Sequence, residues 1–213
     1  MSQPAGSCPQ CGAKIQFRWS GAVQATCEFC QSIIIRTDLD LKKVGEVADL
    51  PPDASPIQIN TEGSWQNKPF VVVGRIIYEY QSGVWNEWHL LFNDGTSGWL
   101  SDAQLEWAIS FQRPMPQSLS NPSTIMVGNK FTWEKVEYEV TSRTLAHYKG
   151  VEGQLPFAYW DKADVYFIDL RTEGNAFATL DFSDNPALLF LGFFCQFEDL
   201  KLKNLRQFEG WYQ

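Results

Sequence analysis

The chain has 213 residues, 44% of them hydrophobic and 15% aromatic, which is enough for one large or two small domains with a buried core. The formal net charge is −8 and is unevenly spread: residues 1–37 carry three basic residues against one acidic residue, and the remainder carries 14 against 24. This balance argues against strong nucleic-acid binding, which depends on lysine and arginine releasing counterions from the phosphate backbone.

Residues 1–7 contain neither a basic region nor an apolar run, so we do not expect them to act as a secretory signal. The longest apolar run in the chain, residues 187–195, is much shorter than the ~20 residues that a membrane-spanning helix needs. We therefore expect a cytoplasmic protein, not an integral membrane protein, whose cysteines are kept reduced.

Four cysteines form two pairs near the N-terminus, Cys8-Pro-Gln-Cys11 and Cys27-Glu-Phe-Cys30, with 15 residues between the pairs. Two residues between thiolates let one tight turn present both sulfurs to one ion, and two such turns complete a tetrahedral site. We predict that these four cysteines hold a structural Zn²⁺ ion, because no coordination position is left for a substrate. A disulfide pair or a redox dithiol fits less well, whereas iron can use the same ligands, so spacing alone does not decide the metal.

A zinc ribbon over residues 1–37 is predicted around this site. Residues 14–17 and 23–26 read as two short strands joined by a turn, and residues 33–35 read as a third strand. Gly12 permits a positive φ just after the first cysteine pair, whereas Gln31 stands at the matching position after the second pair.

A proline-rich linker is predicted over residues 38–56, where Pro51, Pro52 and Pro56 exclude a helix or a central strand. The first half of this segment could form a short helix or an arm. We place the main domain boundary within the proline-rich part.

A first β-unit is predicted over residues 57–120. Residues 70–78 are apolar and β-branched, and residues 87–92 follow as a second strand. The sequence Asn-Asp-Gly at residues 93–95 is a strong hairpin-turn signal, after which residues 97–100 start the return strand.

A second, diverged β-unit over residues 121–213 repeats this pattern and is expected to pack on the first. Residues 131–140 are predicted as one strand and residues 164–170 as the next, and Arg143 falls at a position comparable to that of Arg75. The predicted fold class is therefore mainly β, with an N-terminal zinc ribbon followed by a duplicated β-sheet or β-barrel-like domain.

The nine tryptophans are mostly expected in the core, but their excess also suggests an aromatic-lined groove between the two units. Such a groove could bind a peptide or a small ligand, and His89 is expected at a surface or groove position within it. The candidate groove residues are Arg75, Trp85, Glu87, Trp88, His89 and Arg143.

No catalytic residue is predicted, because the sequence contains no phosphate-binding loop, dinucleotide fingerprint, nucleophile elbow or His-Glu-x-x-His motif. The fifth cysteine, Cys195, lies in an apolar segment and is interpreted as a buried, inert thiol.

Several segments are similar to one bacterial family. They are Cys8-Pro-Gln-Cys11-Gly12, residues 44–52, residues 55–59, Val73-Gly74-Arg75, Trp85-Asn86-Glu87-Trp88 and residues 98–101. Over residues 7–205 the chain resembles the domain of unknown function 4178 family, in the version that carries an N-terminal zinc ribbon. The resemblance implies only the four cysteines as functional residues. Genes of this family tend to lie near those of small membrane proteins, which implies an association with a stress-response or envelope-associated assembly.

Three functions remain open from the sequence. The first is a non-catalytic protein-interaction or adaptor module with a protein partner of unknown identity, favoured by the acidic body and the aromatic surplus. The second is a nucleic-acid-linked binder that acts through the ribbon. The third is a small-molecule-binding or enzymatic groove in the β-domain, built around His89 or Arg75.

Overall fold

The computed structural model describes residues 5–37, 40–47, 55–104, 106–116, 118–158 and 163–208. Within these ranges the chain forms β-strands and two short 3-10 helices, Pro122–Thr124 and Phe197–Leu200. The strands are β1 (Ala5–Ser7), β2 (Lys14–Gln16), β3 (Gln24–Thr26), β4 (Ser32–Arg36), β5 (Leu41–Glu46), β6 (Glu62–Trp65), β7 (Lys68–Tyr80), β8 (Gly83–Phe92), β9 (Ser97–Ala103), β10 (Glu106–Arg113), β11 (Lys130–Trp133), β12 (Val136–Leu155), β13 (Asp164–Arg171), β14 (Ala176–Asp181) and β15 (Leu188–Cys195). In this described part of the chain, neither helix has the length and apolarity needed to cross a membrane.

Eight of these strands close into a ring. Strands β7 to β10 form one antiparallel meander, and strands β12 to β15 form a second. Strand β10 pairs with β15, and β7 pairs with β12, so the sheet closes on itself. The predicted class is confirmed: the protein is mainly β, with a large sheet and a cysteine cluster near its N-terminus.

The two meanders, called the two copies below after the predicted duplication, each start with the same kind of hairpin. Strands β6 and β7 are joined by Gln66-Asn67, and strands β11 and β12 by Glu134-Lys135. All four turn residues have positive φ, between 49° and 68°, as two-residue turns between twisted strands require. A β-bulge then interrupts both copies, between Val72 and Gly74 in β7 and between Val140 and Ser142 in β12.

Two segments differ from their predicted structure. Residues 131–140, predicted as one strand, form the β11–β12 hairpin because Glu134 and Lys135 take left-handed turn conformations. Part of the predicted linker forms β5, which pairs with β4 and extends the ribbon sheet instead of forming a helix or an arm. Linker residues 38–39 and 48–54, including Pro51 and Pro52, lie outside the described residues.

The ring has one apolar cluster inside it and two on its outer face. The inner cluster draws on both copies and includes Ile76, Trp99 and Phe167. Each copy also covers its own outer face, with Trp88 in the first outer cluster and Ile168 in the second. Because side chains alternate along a strand, each ring strand contributes to the inside and to the outside.

The cysteine ribbon is joined to the ring through β12. This strand has 20 residues, and its last two, Gln154 and Leu155, pair with β3 of the ribbon. Ribbon residues Ile33, Val44 and Val47 belong to the inner cluster of the ring. The ribbon therefore packs against one end of the ring interior.

Candidate metal centre and lumen of the ring

The four N-terminal cysteines converge on one point. Their Sγ atoms all lie within 4.8 Å of one another, with 3.6 Å between Cys8 and Cys30 and 3.7 Å between Cys11 and Cys27. A tetrahedral Zn²⁺ ion with Zn–S bonds of about 2.3 Å requires sulfur–sulfur separations of about 3.8 Å. The four side chains therefore fit a four-coordinate metal ion, and they leave no coordination position for water or substrate.

The two cysteine pairs use the same backbone turn. The N–H of Gly12 donates to the carbonyl of Cys8 at 2.8 Å, and the N–H of Gln31 donates to the carbonyl of Cys27 at 2.9 Å. Gly12 has a φ of 76° and Gln31 a φ of 57°, so both residues are left-handed. Gln31 adopts this conformation at a cost of roughly 1 kcal/mol, because its Cβ crowds the backbone there.

Ser32, two residues after the second pair, supports the thiolate form of a ligand. The hydroxyl of Ser32 lies 3.2 Å from the Sγ of Cys30. Hydrogen bonds from the Ser32 side chain and backbone lower the pKa of Cys30 to about 6. The thiolate is the form that binds a metal, and hydrogen bonds to the ligating sulfur are typical of structural sites.

A glutamine side chain fixes the ribbon to the ring. The amide of Gln154 donates to the carbonyl of Gln16 at 2.8 Å and accepts from the N–H of Arg18 at 2.9 Å, as a neighbouring strand would. The carbonyl of Gln154 lies 3.2 Å from Nδ1 of His89, and the ring of His89 packs against Trp19 with centroids 5.1 Å apart. His89 thus lies at the junction between ribbon and ring.

The surface or groove position expected for His89 is wrong. Its side chain is fully buried, because the ribbon covers this part of the inner face of β8. Its Nε2 lies 2.5 Å from the hydroxyl of Ser97, but this serine–histidine pair lines neither lumen cavity described below. Burial lowers the pKa of His89 to about 4, so the imidazole is neutral and braces the junction.

Two other candidate groove residues lie on the outer face of the ring. Arg75 and Trp88 are opposite each other in the β7–β8 register, with the guanidinium 4.6 Å from the indole centroid. Arg75 donates to the side chain of Asn86 at 2.7 and 3.0 Å and to Glu152 at 2.9 Å. This buried arginine therefore links the side chains of β7, β8 and β12 by hydrogen bonds.

Arg143 occupies the corresponding place in the second copy but has different partners. It donates to the carbonyl of Pro122 at 3.2 Å, and its guanidinium lies 5.8 Å from the ring centroid of Tyr166. The remaining candidates, Trp85 and Glu87, lie on the inner face of β8. The six candidates are thus spread over both faces of the ring and do not line one groove.

The interior of the ring is a lumen with two adjoining cavities, of about 60 Å³ and about 220 Å³. All eight ring strands contribute to their lining, which places both cavities inside the ring. The two cavities share Glu87, Ser101, Phe167, Phe177 and Thr179. The smaller one reaches Trp99 and Phe157 on the ribbon side, and the larger one extends to the Glu106–Arg171 ion pair of 3.3 Å.

The lumen is acidic as well as aromatic. Glu87 accepts from the hydroxyl of Ser101 at 2.8 and 3.0 Å and from the indole N–H of Trp85 at 3.1 Å. Burial, assisted by the charges of Asp169 and Asp181, raises the pKa of Glu87 to about 8. Burial also raises the pKa of Asp181, although the backbone N–H of Ser183 donates to it at 2.7 Å.

Sequence reasoning found Trp85 and Glu87 but missed the other polar residues of the lumen. Among the missed residues are Ser101, Ser110, Asp169, Thr179 and Asp181. A signal for them exists: each alternates with apolar residues along its strand, as expected of a sheet with an apolar outer face. Reading that signal requires knowing that the ring closes, since an open sheet would present these residues to solvent.

The fifth cysteine lies apart from both sites. Its Sγ is 3.7 Å from the carbonyl of Trp107, and burial raises the pKa of the Cys195 thiol to about 11. Both observations agree with its interpretation as an inert thiol.

Comparison with known proteins identifies one family. The family model described as domain of unknown function DUF4178 matches residues 58–193, which cover the ring apart from the end of β15. No curated protein and no solved structure matches the chain.

Proposed function

The chain belongs to the DUF4178 family, and from the geometry of its ring we propose that it is a non-catalytic protein that binds a small molecule in the lumen. The observation that supports this proposal most directly is the continuous lumen, which all eight ring strands line. A ligand-sized interior with apolar walls and a few polar groups is the usual form of a small-molecule site. Apolar clusters cover much of the outer face, while Glu87, Ser101 and Asp181 line the lumen, where they can orient a ligand.

The cysteine ribbon has a structural role in this proposal. A Zn²⁺ ion held by Cys8, Cys11, Cys27 and Cys30 would fold a segment that is too small to fold alone. The folded ribbon then places Trp19 against His89, which in turn contacts Trp99 at the wall of the smaller cavity. The need for four thiolate ligands supports a reducing, cytoplasmic location.

The test is the recovery of a bound compound. The full chain is incubated with a small-molecule extract of its source cells, separated by rapid gel filtration, denatured, and analysed by mass spectrometry. A Ser110→Phe variant, which fills the smaller cavity, should lose the retained compound. A Thr132→Phe variant, with the same new side chain on the exposed face of β11, should keep it. Equal retention by both variants would refute a lumen site.

A second candidate function, the protein-interaction or adaptor role expected from the sequence, is favoured by one exposed side chain. Phe29 lies between Cys27 and Cys30 and is 77% exposed. An aromatic residue presented on a metal-rigidified turn is a suitable anchor for a partner protein, here one of an envelope-associated assembly. The test is cross-linking in source cells. Wild-type protein and the control variant Val127→Ser should capture the same partner, and Phe29→Ser should not.

A further inference from the structure

Two carboxyl groups face the smaller cavity of the lumen from different copies of the duplicated unit. Glu87 is on β8 and Asp181 is on β14, and both line the cavity. The described residues that line this cavity include no lysine or arginine. The two carboxyl groups therefore have no fixed cation to neutralise them at this position.

A buried serine also lines the smaller cavity. Ser110, on β10, lines the cavity and is 5% exposed. A serine hydroxyl can both donate and accept hydrogen bonds. An incoming donor group could therefore hydrogen-bond to its oxygen.

Aromatic rings form the wall beside these polar groups. Tyr78 and Trp85 stack with centroids 5.0 Å apart, and Phe167 meets them edge-on at 4.9 and 5.4 Å. Aromatic faces attract organic cations through their negative quadrupole. An apolar aromatic wall suits an organic cation better than a bare metal ion, and the described lining of the smaller cavity holds no lysine or arginine that would bind an anion.

From this arrangement we infer that the lumen binds a small organic ammonium ion, with its ammonium group among Glu87, Asp181 and Ser110 and its apolar part against the aromatic wall. The inference rests on the proposed function, because it names the ligand class of that same lumen.

Binding of such a cation is coupled to a proton. In the empty lumen burial raises the pKa of Glu87 to about 8, so its carboxyl group is mostly neutral at pH 7. An adjacent ammonium ion favours the carboxylate and releases that proton. The titratable groups on the elements around Glu87 are Tyr78 and Tyr80 on β7, Glu106 on β10, Asp169 and Arg171 on β13 and Asp181 on β14.

The experiment compares two probes of nearly the same shape, n-butylammonium chloride and 1-butanol, by isothermal titration calorimetry on the full chain at pH 7. We expect n-butylammonium to bind at least tenfold more tightly. Titrations in two buffers of different ionisation enthalpy should show proton release on binding. Glu87→Gln should lose at least tenfold in n-butylammonium affinity without changing 1-butanol affinity, and Ser110→Ala should lose several-fold.

The control is Glu137→Gln, the same substitution on the outer surface in β12, which should leave both affinities unchanged. Near-ultraviolet circular dichroism confirms that each variant keeps its packed aromatic residues. Tighter binding of 1-butanol, or an unchanged n-butylammonium affinity in Glu87→Gln, would overturn the ammonium inference while leaving the lumen site standing. Failure of both probes to bind would overturn the ammonium inference and count against the proposed function as well.

Discussion

Burial moves two ionisable residues of β8 away from their ordinary pKa values in opposite directions. The pKa of Glu87 is raised to about 8 and that of His89 is lowered to about 4. In both cases the buried site disfavours the charged form, so both side chains are neutral near pH 7. The two residues therefore contribute opposite dependences of stability on pH.

The first prediction concerns this pH dependence. Between pH 4.5 and 8 the folded chain keeps a proton on Glu87 that the unfolded chain releases, so the free energy of unfolding falls as pH rises. Between pH 6.5 and 4 the unfolded chain protonates His89 while the folded chain does not, so stability falls as pH falls. In wild-type protein these two slopes oppose each other between pH 4.5 and 6.5, and only the Glu87 slope remains above pH 6.5.

Urea denaturation of wild type and Glu87→Gln across pH 5 to 8 tests this. Wild-type stability minus variant stability should decrease steadily as pH rises, with a slope of up to about 1.4 kcal/mol per pH unit. The same difference for Glu137→Gln, whose carboxyl group is exposed, should vary little with pH. A constant difference for Glu87→Gln would show that Glu87 is already ionised in the folded protein.

The second prediction compares the two arginines that occupy corresponding positions in the duplicated unit. Arg75→Lys should destabilise the protein by about 3 kcal/mol, because lysine cannot keep the paired bonds to Asn86 and would leave that buried amide unpaired. Arg143→Lys, at the more exposed site, should cost less than about 1 kcal/mol. Equal decreases in the free energy of unfolding of the two variants, measured by urea denaturation, would show that the buried hydrogen bonds of Arg75 add no stability.

The third prediction concerns the left-handed residue after the second cysteine pair. Gln31→Gly should stabilise the ribbon by about 0.5–1 kcal/mol, because glycine tolerates a φ of 57° without crowding. Gln10→Gly, inside the first cysteine turn at a residue without positive φ, should destabilise it. Chelator competition for the bound metal measures both effects, and a weaker metal affinity of Gln31→Gly would contradict the strain argument.

At the scale of elements, β12 is the strand that links ribbon and ring, and the fourth prediction tests this link. Gln154→Ala removes the two side-chain hydrogen bonds to Gln16 and Arg18 but keeps the backbone pairing with β3. We expect hydrogen exchange to accelerate in β2 and β3 while the ring strands keep their protection. The control Glu139→Ala, an exposed change on the same strand, should leave hydrogen exchange in the ribbon unchanged. An unchanged ribbon in Gln154→Ala as well would mean that the ribbon docks by apolar contact alone.

The strands and the cysteine turns could be predicted from local signals. A run of apolar, β-branched residues predicted the strand around Val72, and the pairing of cysteines predicted the ribbon, because these patterns involve neighbours in the chain. The matching of Arg75 with Arg143 was also visible. The hairpin at Glu134-Lys135 was not, since neither residue is a usual left-handed turn residue.

Contacts between distant elements could not be predicted in this way. The burial of His89 depends on Trp19, a ribbon residue 70 positions earlier in the chain, and on the carbonyl of Gln154. The lumen depends on the β7–β12 and β10–β15 pairings, which bring Glu87 and Asp181 to one cavity. No pattern within either strand indicates which other strand will face it.

At the scale of the whole molecule, ribbon and ring depend on each other unequally. The ring closes through its own strand pairings and has two outer apolar clusters of its own, whereas its inner cluster also includes ribbon residues. The ribbon has one small cluster around Phe17 and Ile34, whose members include the ligand candidates Cys8 and Cys27. The metal therefore matters directly for the ribbon and only indirectly for the ring.

The fifth prediction follows from this asymmetry. Removal of the metal by a chelator should unfold the ribbon while the ring stays folded, because four uncompensated thiols cannot hold so small a core together. Hydrogen exchange should then lose protection in β2 to β4 and keep it in β8 and β9. Loss of the ribbon also uncovers His89 and opens the lumen beside Trp99, so tryptophan fluorescence should shift to the red and affinity for lumen probes should fall.

Cys195→Ser protein should respond to the chelator in the same way, since that thiol lies outside the cluster. Cooperative loss of protection in ring and ribbon together would mean that the metal holds the whole fold, and the lumen would then owe its closure to the ion and not to the ring strands.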